Sequence, residues 1–199
     1  MDIHDCESCR IEGSIASTVI LDPDRGTATK MYAPPRLVSL LYWLAFQAKF
    51  PYQHNRAALE GHKLAPFITL VEGDSAAQEV VAEVRSHVRE GESALVLLDG
   101  CHTRDHVRAE LEAYGPLVGP GSYLVAMDGI KQDLKGAPRS EEDWDWNNPA
   151  TAAREFAEAH PEFVLEDPPF AFNEACITER VTYWPNAFLK RLGNLDARL

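Results

Sequence analysis

The sequence has little positive charge, and its apolar runs are short. It has 19 lysine and arginine residues and 31 aspartate and glutamate residues, which gives a formal net charge of −12. Because nucleic-acid binding depends on Lys and Arg displacing counterions from phosphates, we expect no nucleic-acid partner. The longest strongly apolar run covers residues 37–46. It is far shorter than the roughly 20 residues that span a bilayer as a helix, so we expect no membrane span.

Two further absences concern the compartment and zinc. The N-terminus lacks the basic region and the apolar region of a secretory signal, so we expect a cytoplasmic protein with free thiols. Cys6 and Cys9 form a C-x-x-C pair, whereas Cys101 and Cys176 each stand alone. A structural zinc site needs four ligands, usually in two close pairs, so we do not expect zinc.

The length and composition fit one globular domain, with 199 residues of which 45% are hydrophobic. From residue 66 onward, short apolar runs alternate with longer amphipathic stretches, which is typical of βαβ units. The sequence therefore predicts an α/β fold with a mostly parallel sheet. Predicted strands cover residues 67–72, 93–98 and 121–127, and a terminal antiparallel pair is predicted near residues 163–165 and 181–189.

The N-terminal third is less regular. Residues 15–21 favour a strand, and residues 37–46 favour either a helix or a strand. We therefore divide the chain into an atypical N-terminal segment, 1–53, and a regular α/β domain, 54–199.

Polar residues follow three of the predicted strands, at the points where ligands collect in open α/β sheets. They are Gly73-Asp74-Ser75, Asp99 and Asp128. Two carboxylates on adjacent parallel strands can share Mg²⁺ or Mn²⁺, since these cations prefer oxygen ligands. The alternative is that Asp99 and Asp128 only cap the turns that follow them.

His102 follows Asp99 by three residues and is the candidate catalytic base. An imidazole next to a metal-bound hydroxyl can accept its proton near neutral pH. A histidine that bonds the backbone at a helix start is an equally good interpretation. Residues 129–148, which include Trp144 and Trp146, are too long and polar for a simple connector and suggest a lid over the pocket.

Several segments resemble the cephalosporin hydroxylase and rhamnosyl O-methyltransferase family. The resemblance runs from about residue 54 to residue 191. It implies a Rossmann-like methyltransferase fold, S-adenosylmethionine as methyl donor, a divalent metal near the acceptor hydroxyl, and sugars or other small molecules as substrates. The segments that carry it are residues 54–60, 67–75, 95–106, 114–128, Asn148-Pro149 and 186–191.

By this resemblance, Asp99 and Asp128 occupy metal-ligand positions, and Gly73, Asp74 and Ser75 form the turn beside the cofactor's adenine. The chain departs from the family in three places. No glycine-rich turn precedes His54, and no acidic residue stands in the ribose-binding position, around Phe50 and Pro51. The third departure is Met127, which replaces a glutamate that members often carry.

The sequence thus predicts an S-adenosylmethionine-dependent, metal-assisted O-methyltransferase that acts on a hydroxyl of a small molecule or sugar. In this interpretation His102 or a metal-bound water accepts the proton. The alternative is an inactive methyltransferase-like remnant or binding module without the donor site. Residues 37–46 could then hold it in a homo-oligomer.

Overall fold

The computed structural model describes residues 65, 68–167 and 182–193, with Glu72 by its backbone alone, and the backbone of two earlier strands. These earlier strands are β1 (Ala16–Leu21) and β2 (Ser39–Phe46). The further strands are β3 (Ile68–Gly73), β4 (Ser93–Asp99), β5 (Tyr123–Ala126), β6 (Phe163–Leu165) and β7 (Phe188–Arg191). The helices are α1 (Gln78–Ser86), α2 (Arg104–Tyr114) and α3 (Pro149–Ala159), with short 3-10 helices at Gly115–Leu117 and Gly129–Asp133.

The seven strands form one sheet in the order β3-β1-β2-β4-β5-β7-β6. The pairings β2–β4 and β4–β5 are parallel. The other four, β1–β2, β1–β3, β5–β7 and β6–β7, are antiparallel. The predicted α/β class is therefore confirmed, but the sheet is mixed rather than mostly parallel. Antiparallel neighbours need no crossover helix, so β7 can return directly between β5 and β6.

The predicted elements are found close to their expected positions. Residues 39–46, predicted as helix or strand, form β2, whose two edges pair with β1 and β4. The predicted terminal antiparallel pair is confirmed as β6 and β7, but its second strand covers Phe188–Arg191, and residues 182–187 form no strand. Among the described residues, no helix combines the length and the apolar character needed to cross a membrane. Of the N-terminal segment 1–53, only β1 and β2 lie among the described residues.

The main hydrophobic core lies between the sheet and the helices. Alternate residues of β4 point into it, as expected for a strand with one face against helices. The helices contribute residues at helical spacing, which is why amphipathic stretches form them. Fully or almost fully buried core side chains are Val84, Val96, Leu98, Val107, Leu111, Tyr114, Leu124, Phe156 and Leu189.

The start of α3 is fixed by its cap, as the sequence predicts. The side-chain oxygen of Asn148 accepts a hydrogen bond from the Thr151 amide at 2.9 Å, and Pro149 occupies the first helical position. The Asn148 amide group also donates to the Trp144 carbonyl at 2.9 Å. This buried side chain therefore joins α3 to the segment that precedes it.

Candidate metal and cofactor site

The ends of β4 and β5 bring two carboxylates together. Asp99 is the last residue of β4, and Asp128 follows β5 by two residues. The strands are parallel, with Leu98 paired to Ala126, and the Met127 amide donates to the Leu98 carbonyl at 3.0 Å. Because parallel neighbours end at the same edge of the sheet, the two aspartates become neighbours.

His102 completes a group of three. One ligand atom from each of Asp99, His102 and Asp128 lies within 4.8 Å of the other two. The Nε2 atom of His102 is 3.4 Å from Asp99 Oδ1 and 3.6 Å from Asp128 Oδ2. This Nε2 atom is buried and has no hydrogen-bond partner among the described residues. Two carboxylates and an imidazole at this spacing can hold a divalent cation.

The backbone around Asp128 has an unusual conformation. Asp128 has φ 58° and ψ 28°, in the left-handed region that few residues other than Gly, Asn and Asp adopt readily. The next residue, Gly129, packs closely: a Cβ there would lie 2.6 Å from the Pro185 carbonyl oxygen and 3.1 Å from Ala150 Cβ. The absence of a side chain at residue 129 therefore lets this turn place the Asp128 carboxylate toward His102.

The segment 129–148 packs against the loop that carries His102. Lys131 Nζ donates to the His102 carbonyl at 3.1 Å and lies 4.5 Å from the centre of a Trp144 ring. Asn147 Oδ1 accepts from the Arg104 amide at 2.8 Å, at the start of α2. Sequence reasoning missed Lys131 and Asn147, because no local pattern marks contacts across 29 and 43 residues. The lid role of this segment stays a prediction.

Cys101 lies between Asp99 and His102 in the chain and is buried. It is disulfide-bonded, so the prediction of free thiols is wrong for this residue. The other three cysteines lie outside the described residues. A disulfide sulfur is not a thiolate, so Cys101 adds no soft ligand to the group of three.

The predicted cofactor residues form the turn after β3. Gly73 has φ 150°, and a Cβ there would overlap the Val80 side chain. Asp74 is exposed, and its Oδ1 accepts from the Ala76 amide at 2.9 Å. The Ser75 side chain points inward and is 3% exposed, so it packs in the interior and does not lie on the exposed side of the turn. The spacing of Ser75 and Gln78 predicts a capping box at the start of α1. This prediction is wrong, because Ala77 is the N-cap and makes no side-chain bond.

The turn after β3 and the group of three lie at the same edge of the sheet. Gly73 pairs with Ala16, which pairs with Phe46, while Asp99 pairs with Ala45. Gly73 and Asp99 therefore lie at nearly the same height along the sheet, with an offset of one residue. They are separated by three strand spacings, or roughly 14 Å. A ligand that contacts both would lie across the ends of β1 and β2.

Comparisons with known proteins identify the family. Neither the curated proteins nor the solved structures gave a match. The family model described as rhamnosyl O-methyltransferase/CmcI matches residues 48–192, which is 145 of the 199 residues. This match confirms the family that the sequence segments resemble. The chain belongs to the rhamnosyl O-methyltransferase/CmcI family.

Proposed function

We propose that the protein is an S-adenosylmethionine-dependent, metal-assisted O-methyltransferase whose acceptor is a hydroxyl of a sugar or another small molecule. Family membership supports methyl transfer to oxygen. The observation that carries the metal-assisted part is the placement of Asp99 and Asp128 by the parallel strands β4 and β5, with a carboxylate oxygen of each within 4.8 Å of the other.

The residues of this group fit a divalent cation. Two carboxylates this close repel each other, and a divalent cation between them would remove this repulsion. Asp99 and Asp128 would hold Mg²⁺ or Mn²⁺ through oxygen, and Mg²⁺ keeps several waters that a substrate oxygen can replace. When bound, the cation supplies a Lewis acid that lowers the pKa of the acceptor hydroxyl.

His102 acts as the base in this proposal. Its Nε2 atom accepts the proton of the acceptor hydroxyl, as a general base must from within hydrogen-bond reach. The imidazolium that forms is stabilised by Asp99 and Asp128, whose oxygens lie 3.4 and 3.6 Å away. Lys131 holds the backbone of His102 through its carbonyl, so the ring stays in position.

The turn Gly73–Ser75 binds the methyl donor in this proposal. Gly73 lets the turn pack against Val80, where a Cβ would overlap, and the exposed Asp74 offers an acceptor to a hydroxyl or amino group. The parallel strands β2, β4 and β5, with Asp99 and Asp128 at the carboxyl ends of β4 and β5, support the finer assignment of a Rossmann-like methyltransferase fold.

Methyl transfer from labelled S-adenosylmethionine to a panel of sugars and small hydroxyl compounds tests the function. We expect transfer that requires Mg²⁺ or Mn²⁺ and stops with a chelator. A protein that binds neither donor nor metal would contradict the proposal and favour the inactive remnant.

Two variants separate the roles of the group of three. Asp99→Asn should lose metal binding in a calorimetric titration, because it removes a charged oxygen ligand. His102→Asn should retain metal binding and lose methyl transfer. Loss of metal in His102→Asn would make His102 a ligand and would contradict its role as base.

A further inference from the structure

A buried polar network joins the turn Gly73–Ser75 to α2. The Ser75 hydroxyl donates to Glu110 Oε1 at 2.5 Å, and the Tyr114 hydroxyl donates to the Ser75 carbonyl at 2.7 Å. His106 Nε2 lies 3.1 Å from Ser75 Oγ. Because the one hydroxyl proton goes to Glu110, Ser75 Oγ accepts from the Nε2–H of His106. His106, Glu110 and Tyr114 are spaced by four residues and therefore lie on one face of α2. All three hydrogen-bond Ser75 of the turn.

Glu110 occupies a buried position where an apolar side chain would cost less free energy. It is 0% exposed, and its Oε2 atom has no hydrogen-bond partner among the described residues. Its helical neighbours Val107 and Leu111 are core residues. A buried carboxylate loses its hydration, and replacing a buried ion pair with apolar groups is often neutral or stabilising. Stability alone therefore does not account for a glutamate here.

The cation that faces Glu110 is His106, at 3.6 Å between Nε2 and Oε1. Burial lowers the pKa of His106, but the hydrogen bond and the charge of Glu110, with a contribution from Asp74, outweigh burial and raise the pKa above its ordinary value. His106 therefore stays protonated to a higher pH than an isolated histidine does, and its charge strengthens the hydrogen bond to Ser75.

The helix that holds this turn also begins at the group of three. Arg104, the first residue of α2, comes two residues after His102, and His106 lies about one helical turn beyond His102. The same helix thus begins two residues after His102 and hydrogen-bonds the turn at Ser75. The network fixes how far the turn lies from Asp99 and His102.

We propose that Glu110 is a positioning residue for the turn Gly73–Ser75, acting through Ser75 and His106 without touching either ligand. The inference rests on the proposed function for the identity of the ligand that the turn receives. It predicts that removing the Glu110 carboxylate loosens the turn and weakens donor binding while the core stays folded.

Hydrogen–deuterium exchange of the full chain tests the positioning directly. The amides to follow are those of Ala76 and Ala77, which donate to Asp74 Oδ1 and to the Asp74 carbonyl, each at 2.9 Å. We expect Glu110→Leu and Ser75→Ala to exchange faster at these amides, by roughly tenfold if the opening free energy falls by about 1.4 kcal/mol. Glu112→Gln is the control, since Glu112 lies on the same helix, is half exposed and pairs with His160.

Calorimetric titration of S-adenosylmethionine adds the functional readout. We expect Glu110→Leu to bind at least about tenfold more weakly than the wild type, since a misplacement near 1 Å can cost roughly 100-fold in a site. Glu110→Gln, which keeps an acceptor for Ser75, should fall between the two. Glu110→Leu leaves the largely buried His106 without its partner and should lower the Tm. A cooperative transition well above the titration temperature would show that donor affinity is measured on folded protein.

The outcomes separate this inference from the proposed function. Unchanged exchange at Ala76 and Ala77 in Glu110→Leu and Ser75→Ala would overturn the positioning role, whatever the donor does. Should Glu110→Leu fail to fold, Glu110→Gln and Ser75→Ala decide the matter by the same exchange. A wild-type protein that does not bind the donor would refute the proposed function, while faster exchange in the variants would still support Glu110 as the residue that positions the turn.

Discussion

Replacing Asp128 by asparagine should change stability in opposite directions with and without metal. The substitution removes one of two carboxylates that share the group of three. Asparagine tolerates the left-handed backbone of residue 128, with φ 58°, as well as aspartate does. The charge is therefore removed without a new backbone penalty.

The magnitudes follow from the geometry. Two unit charges less than 5 Å apart repel by roughly 1 kcal/mol in water, and partial exposure screens part of this. Without metal, Asp128→Asn should therefore be as stable as the wild type or up to about 1 kcal/mol more stable. Mg²⁺ at about 100 times its dissociation constant should stabilise the wild type by about 2.7 kcal/mol. For a chain of this size, that is a rise in Tm of about 5–11 °C, and the variant should gain little of it.

Thermal unfolding followed by circular dichroism, with a chelator and then with increasing Mg²⁺, measures both effects. Asp133→Asn is the matched control, since Asp133 is exposed and lies at the end of the same short helix. An equal Mg²⁺ gain in Asp128→Asn and wild type would refute the assignment of Asp128 to the metal.

Three further predictions concern the parts that support the site. Asn148→Ala should lower the free energy of unfolding in urea by about 2–4 kcal/mol, because it removes a helix cap and leaves the Trp144 carbonyl without its donor. Gly129→Ala should cost about 1–3 kcal/mol in the same assay and weaken Mg²⁺ binding, because its Cβ would crowd the Pro185 carbonyl. The raised pKa of His106 contributes stability that is complete below the unfolded pKa of about 6.5 and is lost as the pH rises through the folded value. Urea unfolding between about pH 6 and 8 should therefore show a larger loss for the wild type than for His106→Gln, and equal slopes would contradict the pairing with Glu110.

The features that depend on local pattern could be predicted from the sequence. The apolar runs that form β3, β4 and β5 were located to within one or two residues, because a buried strand needs a continuous or alternating apolar run. Asn148-Pro149 marked the start of α3 because the cap is a local interaction. The proximity of Asp99 and Asp128 followed from one long-range assumption, that β4 and β5 are parallel neighbours.

The features that depend on distant partners could not be predicted. Strand periodicity does not encode direction, so the antiparallel position of β1 between β3 and β2 was not predicted. The Ser75 side chain carries a capping-box signal, but Glu110, 35 residues away, takes its hydroxyl proton. A buried carboxylate requires a donor more strongly than a helix end at the surface does. Local rules therefore failed where a long-range polar contact competed with them.

The most direct test of the account is a calorimetric titration of S-adenosylmethionine into the purified protein, with and without Mg²⁺. It addresses the donor site, where the sequence lacks the family's glycine-rich turn and ribose-binding acid. The account predicts saturable binding of one donor per chain that Asp74→Ala weakens. No detectable binding by a protein that still unfolds cooperatively would contradict it and would favour a methyltransferase-like protein that has lost its donor.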